Sequence, residues 1–155
     1  MRRYAQSTAV PIDRSKAEIE RTLMRFGASH FAYGYGDGKA GLIFQFNGKR
    51  LRFNLRMPDK TEYSTSPTGR TRRNAEIINR AWEQASRQRW RALVLSIKAK
   101  LVAVTDGISV FEDEFLAWVV MPDGKTVGEH VLPQVEAVYQ GGKMPKALLP
   151  WGGKP

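Results

Sequence analysis

From residue 30 to residue 58 the chain reads HFAYGYGDGKAGLIFQFNGKRLRFNLRMP. Apolar and small or polar residues alternate there with period two, the signature of strands with one buried face. The alternation breaks twice, at Asp37-Gly38 and Asn47-Gly48, both favoured two-residue hairpin turns. Three strands follow, over about 30–36, 39–47 and 49–57, as an antiparallel meander. Two-residue turns fix the register, so Phe44 faces Leu51, Leu42 faces Phe53 and Tyr33 faces Leu42. One face then gathers Phe31, Tyr33, Tyr35, Leu42, Phe44, Phe46, Leu51, Phe53 and Leu55. The other carries Ala32, Gly34, Gly36, Gly41, Ile43, Gln45, Arg50, Arg52, Asn54 and Arg56. A solvated outer face is the ordinary expectation for such a sheet. Strand glycines argue for something approaching the backbone closely.

Elsewhere the apolar positions repeat at helical spacing. A first helix fits 13–26, with Asp13 or Ser15 as N-cap, Ser15 with Glu18 making a capping box, Ala17, Ile19, Leu23 and Phe26 on its buried side, and Gly27 as its stop. A long helix fits 71–105, ended by Asp106-Gly107. A shorter one fits 109–120, capped by Ser109 with Glu112. A last one runs from the Thr126/Glu129 capping box to about Gln140, with Pro133 inside it to kink it or delay its start. Residues 58–70 form a polar loop. The expected class is α+β: helix, three-stranded antiparallel meander, long helix, two shorter C-terminal helices. The expected organisation is a flexible basic arm over 1–12, one domain over 13–140 and a Gly/Pro-rich tail over 141–155, where Leu148, Leu149 and Trp151 could dock.

Charge adds more than composition does. The 155 residues hold 25 Lys+Arg against 15 Asp+Glu, a net charge of +10. A small basic domain commonly binds a polyanion, because neutralising phosphates releases condensed counterions. There are no cysteines, which removes disulfides, zinc-thiolate sites, Fe–S clusters and thiol nucleophiles. No apolar run approaches 18 residues, so no membrane partner is expected. The N-terminal MRRYAQSTAV lacks the apolar segment of a signal peptide.

On a helical wheel the long helix separates its residues. Arg73, Arg80, Arg87, Arg91 and Lys98 fall on one stripe, a ridge about 37 Å long at 1.5 Å per residue. Trp82, Ala85, Leu93, Ile97, Leu101 and Val104 take the adjoining arc, and Trp90 and Val94 lie between. Trp90 either packs inward, the commoner fate, or stacks on an unpaired base. Arg89 and Lys100 intrude on the apolar arc and must snorkel or pair. Glu76 and Glu83 can pair with Arg80 and Arg87 at i+4. Arg91 and Lys98 have no acid at helical spacing and are expected to stay free.

Catalytic chemistry is hard to find. His30 and His130 are the two histidines, and neither has a metal-ligand partner at helical spacing. The glycines at 34, 36, 38 and 41 do not open a helix, so they lack phosphate-loop geometry. Pro58-Asp59 with Asp123-Gly124-Lys125 caricatures a PD-(D/E)xK nuclease, with its halves far apart. Glu112, Asp113 and Glu114 form an acidic knot better read as first-turn acids. No cofactor is expected.

The segment PTGRTRRNAEIINRAWEQASRQRWRALVLSIKAKLVAV, then FEDEFLAWVVMPDGKTVGEHVLPQVE, with ERTLMRFGA and FNGKRLRFNLRMP before them, resembles small basic proteins of tailed phages and prophages. That resemblance covers nearly the whole chain and implies a cytoplasmic product in a bacterial host, with no site residues to carry over. The order α-β-β-β-α is also similar to double-stranded RNA-binding domains and to the core of single-strand annealing proteins, an analogy of element order alone.

The expected function is therefore non-enzymatic nucleic-acid binding, DNA favoured over RNA, as a single-stranded DNA binding or annealing accessory of replication or recombination. The expected contacts are Arg73, Arg80, Arg87, Arg91, Lys98, Arg50, Arg52, Arg56 and Trp90, with Arg2, Arg3, Arg70 and Arg72 auxiliary. Self-association is possible through sheet edges. The alternatives are a protein-binding inhibitor of a host factor, with the ridge meeting an acidic surface, and, less favoured, a nuclease.

Overall fold

A computed structural model describes residues 4–69, 74–145 and 147. The element order is α1 (Ile12–Met24), β1 (Ser29–Gly36), β2 (Lys39–Phe46), β3 (Lys49–Arg56), α2 (Ala75–Thr105), α3 (Phe111–Phe115) and α4 (Val127–Gly141), with 3-10 turns at Lys60–Tyr63 and Leu116–Trp118. The class is mixed α+β, as the pattern predicts.

The meander forms in the expected register. Phe44 pairs with Leu51, Leu42 with Phe53 and Tyr33 with Leu42, in the order β1-β2-β3. Both turns place their two central residues at positive φ, Asp37 and Gly38 at 49° and 68°, Asn47 and Gly48 at 47° and 72°. That is the turn geometry whose twist matches paired strands. The pairing slips between Ser29 and Ala32, where His30 has φ 54°.

Helices α1 and α2 cover the aromatic face. Ile19 and Leu23 of α1 meet Leu42, Phe44, Leu51 and Phe53 of the sheet and Trp90, Leu93, Val94, Ile97 and Leu101 of α2. Phe111 and Phe115, one helical turn apart, close the far end against Phe46 and Phe53. Residues 119–126 then wrap the edge of β3: Leu51 bridges to Val119, and Val120 N–H donates to the Arg50 carbonyl. That contact gives β3 a partner on its outer edge.

Several local expectations are overturned. Helix α1 starts one turn earlier than Ser15, behind an extended Pro11, with no side-chain cap. Ser15 is thus fully buried inside the helix, and Glu18 is released for another task. Ala17 is exposed, because the buried stripe runs through Ser15, Ile19 and Leu23. Ser109 caps nothing. Its N–H and that of Ile108 close the end of α2 on the Ala103 carbonyl, so the next helix begins only at Phe111 and spans five residues. Tyr35 points to the core side yet is 68% exposed, because it overhangs the end of the sheet. Helix α2 begins at Ala75, capped by Asn74 accepting from Glu76 N–H, and residues 71–73 lie outside the described residues. The Thr126/Glu129 box forms as expected, and α4 continues through Pro133 to a left-handed Gly142.

Of the expected arm, residues 4–8 lie along α2. The side-chain amides of Gln84 and Gln88 donate to the carbonyls of Gln6, Thr8 and Tyr4. Leu148, Leu149 and Trp151 of the tail lie outside the described residues. Among the described residues, no helix is long and apolar enough to cross a membrane.

Candidate nucleic-acid interface

The cationic ridge of α2 is largely consumed by the fold. Glu18 of α1 faces it from the neighbouring helix, accepting from Arg91 at 2.5 Å and from Lys98. Arg91 is thereby only 18% exposed. The expectation that these two cations stay free is wrong, because an acid with no sequence proximity arrives through helix packing. The two cations hold the Glu18 carboxyl well below its ordinary value, at about 2, with Lys98 the larger influence and Arg91 the next.

The remaining ridge residues are more open. Arg87 donates to Gln84 at 2.7 Å and lies 4.0 Å from Glu83. Arg80 pairs with Glu76 in the expected i,i+4 manner and is exposed. Arg73, with the auxiliary Arg2, Arg3, Arg70 and Arg72, lies outside the described residues. Trp90 is 4% exposed and meets Tyr33 edge-on at 5.9 Å, so it packs inward. The two intruders resolve differently. Lys100 pairs with Glu114 at 3.3 Å and lies 4.8 Å from the Trp118 ring centre, while Arg89 is exposed.

The outer sheet face keeps more of its charge. Arg50 and Arg56 are exposed on β3, and neither makes an ion pair or a side-chain hydrogen bond among the described residues. Arg52, between them, is held. It donates to the Gly124 carbonyl at 2.9 Å and to Glu129 at 2.7 Å. Glu129 in turn accepts from Thr126 N–H, and these contacts lower its pKa, the backbone bond most and Arg52 next. The pairing also brings Lys39 beside Arg56, extending the face by one row. Sequence reasoning missed Lys39, although carrying the alternation one row, two positions, past Gly41 would have found it.

Next to Lys39 and Arg56 lies a patch without side chains. Gly34 pairs with Gly41, and Gly36 with Lys39. A Cβ built on Gly34 or Gly36 would meet nothing within 4 Å, and one on Gly41 would meet only the Gly34 carbonyl oxygen at 4.0 Å. Each glycine in a strand costs about 0.5–1 kcal/mol relative to alanine. No packing among the described residues requires that cost at these positions. What they provide is a flat stretch of backbone beside Lys39 and Arg56, with Asn54 at its end on β3 and the Ala32-Ile43-Arg52 row between it and Arg50.

The nuclease-like residues do not form one acidic site. Asp59 caps the 3-10 turn, accepting from Thr61 N–H and hydroxyl. Asp123 accepts from Lys125 N–H and lies 2.8 Å from His130 Nε2. Glu112 lost its capping role with the shortening of α3. No group of three or more His, Asp or Glu among the described residues is placed to hold a metal ion.

Charge by region sharpens the picture. Eighteen of the 25 Lys+Arg and all 15 Asp+Glu belong to described residues, a net of +3. The other seven cations are Arg2, Arg3, Arg70, Arg72, Arg73, Lys146 and Lys154. Within the described fold the field is therefore local, set by which cations lack a carboxylate. In comparisons with protein-family models, curated proteins and solved structures, the chain shows no significant match.

Proposed function

We propose that this protein binds nucleic acid without acting on it chemically, and that the phosphate backbone lies across the outer face of the sheet. The observation that carries this reading is the glycine patch. Gly34, Gly36 and Gly41 weaken the strands and make no contact among the described residues that a Cβ would disturb, yet they leave a path of open backbone beside Lys39 and Arg56, with Arg50 two rows further along the same face. A phosphodiester chain fits such a path, since backbone approach and cationic flanks are what phosphate contacts need. Single-stranded DNA, bound without strong sequence preference as an accessory of replication or recombination, is the favoured ligand. The RTRR segment at 70–73 and the N-terminal Arg2 and Arg3 add charge to the same task.

The test is a salt titration with a labelled thymidine oligomer. Log affinity should fall linearly with log salt, and the Arg50→Glu/Arg56→Glu double variant should flatten that slope by about 1.4, at roughly 0.7 per phosphate lost. Both side chains are exposed and unpaired, so the fold should survive. Absence of binding at low salt, or an unchanged slope in the double variant, would overturn the reading.

A protein partner is the second reading, favoured by the apolar side chains that α4 turns outward. Leu132 and Tyr139 are 62% and 88% exposed. Binding of a host protein that survives high salt and is lost on Leu132→Glu/Tyr139→Glu substitution would favour it.

A further inference from the structure

Beside the free edge of β1, the sheet and the two long helices leave a cleft of about 410 Å³. Four aromatic residues line it: Tyr33 and Tyr35 from β1, Trp82 and Trp90 from α2. These residues come from two elements separated in sequence by β2, β3 and a polar loop, so only the tertiary fold assembles them. Lys16 of α1 reaches in, its ammonium 5.0 Å from the Tyr33 ring centre and 5.1 Å from that of Trp90. No carboxylate pairs with Lys16 among the described residues.

The walls are fixed in place. Trp82 Nε1–H donates to the Pro58 carbonyl at 2.8 Å, and the Tyr33 hydroxyl donates to the Lys16 carbonyl at 3.3 Å. Tyr35 is the exception, exposed and free to swing against an incoming ring. Its wall-mates Met57 and Trp82 also border a second cleft, where Lys39, Arg56 and Lys60 face Asp37, Asp59 and Glu62. That second space has as many acids as bases. Gly34 contributes to the lining of the aromatic cleft and also belongs to the flat patch on the outer face, so the β1 edge strand stands between the two.

From this arrangement we infer that the Tyr33–Tyr35–Trp82–Trp90 cleft receives an unpaired nucleobase from a strand whose backbone crosses Gly34, with Tyr35 stacking on it and Lys16 donating to a ring acceptor. The inference rests on the nucleic-acid reading above and adds to it a physical basis for single-strand selectivity. A base in a duplex is stacked and paired, so it cannot enter. An unpaired base presents a π face that any aromatic wall accepts regardless of sequence. A cationic donor at the ring edges suits the carbonyl and ring-nitrogen acceptors that bases carry.

The decisive measurement compares a thymidine oligomer with an abasic oligomer of equal length, titrated against the full chain by fluorescence anisotropy and by intrinsic tryptophan emission. The two oligomers carry the same phosphates and differ only in bases. The thymidine oligomer should bind about tenfold more tightly than the abasic one and than a duplex of equal length, and it alone should quench tryptophan emission. Tyr35→Ala should bring thymidine binding down to the abasic level while leaving abasic binding and the melting temperature unchanged; Lys16→Met should weaken thymidine binding in the same direction. Equal binding of the thymidine and abasic oligomers would overturn the cleft and leave the phosphate path standing. Failure of all oligomers to bind at low salt would overturn both. Thymidine monophosphate should compete only weakly, because it lacks neighbouring phosphates; competition as strong as that of the oligomer would mark a mononucleotide site and end the strand proposal.

Discussion

Glu18 and Arg91 lie 73 positions apart in sequence and meet across the α1–α2 seam at 2.5 Å. Lys98 joins from one side, so one carboxylate serves two cations. With side-chain exposures of 23% for Glu18 and 18% for Arg91, the contact is sheltered enough to matter. It turns what reads as a cationic surface into a structural joint.

Glu18→Gln should lower stability at neutral pH by about 2 kcal/mol, the scale of a hydrogen-bonded charge lost from a sheltered site. The sign of the pH effect follows from the pKa, lowered from 4.5 to about 2. A carboxyl depressed in the folded state stabilises fully above its unfolded value. That contribution is lost as pH falls from about 4.5 towards 2. Urea melts at pH 7 and pH 3 should show the wild type and Glu18→Gln converging in acid. A gap that persists at low pH would mean that the carboxylate charge is not the source.

The glycine patch can be probed without risk to the fold. Gly41→Thr places a β-branched side chain where a Cβ has room, and strands favour threonine over glycine. Its stability should rise by about 0.5–1 kcal/mol, while affinity for a single-stranded oligomer should fall about tenfold, the weight of roughly one lost contact. Undiminished binding in the stabilised variant would show that nothing lies across the patch.

Gly128 is a contrasting case. A Cβ there would sit 2.9 Å from the Ala117 carbonyl oxygen, so the start of α4 rests directly on the 3-10 turn. Gly128→Ala should cost about 1–3 kcal/mol by overpacking. Hydrogen exchange should accelerate in α4 and much less in β1–β3. Gly36→Ala, with open space above it, should leave stability unchanged or raised.

The β2–β3 turn offers a check on register. Gly48 has φ 72°, and a side chain in that left-handed region costs about 1–2 kcal/mol. Gly48→Val should lower the thermal midpoint accordingly. An unaltered midpoint would mean that the turn is not of this type.

Much of the fold was legible because it rests on local rules. Asp37-Gly38 and Asn47-Gly48 specify tight turns, tight turns specify register, and register decides which side chains of three strands share a face. The Thr126/Glu129 box was readable for the same reason. Ser15/Glu18 and Ser109/Glu112 carry the same spacing and form no box. Pro11 had already started one helix, and the closing turn of α2 had already used the backbone of Ser109.

The candidate site was less legible. Arg50, Arg56 and the three outer-face glycines follow from strand alternation, and Lys39 follows once the register is carried one row further. Arg52 fits the same pattern but is taken by Glu129, an acid 77 positions away. The aromatic cleft had no signal in the sequence, since its rings come from two elements far apart in the chain and Lys16 stands on a third, a helix whose placement no local rule fixes.

The sequence alone determined what depends on neighbours along the chain: the meander, its two faces, the helical stripes and the total charge. The tertiary structure decided which of those charges are spent. A carboxylate delivered by another helix is invisible to helical spacing, yet at hydrogen-bonding distance it quenches a cation as fully as an i+4 partner would. For that reason the ridge of α2 became a joint at Glu18, and the exposed cations of the sheet, with the bare backbone beside them, became the better candidate for a binding surface.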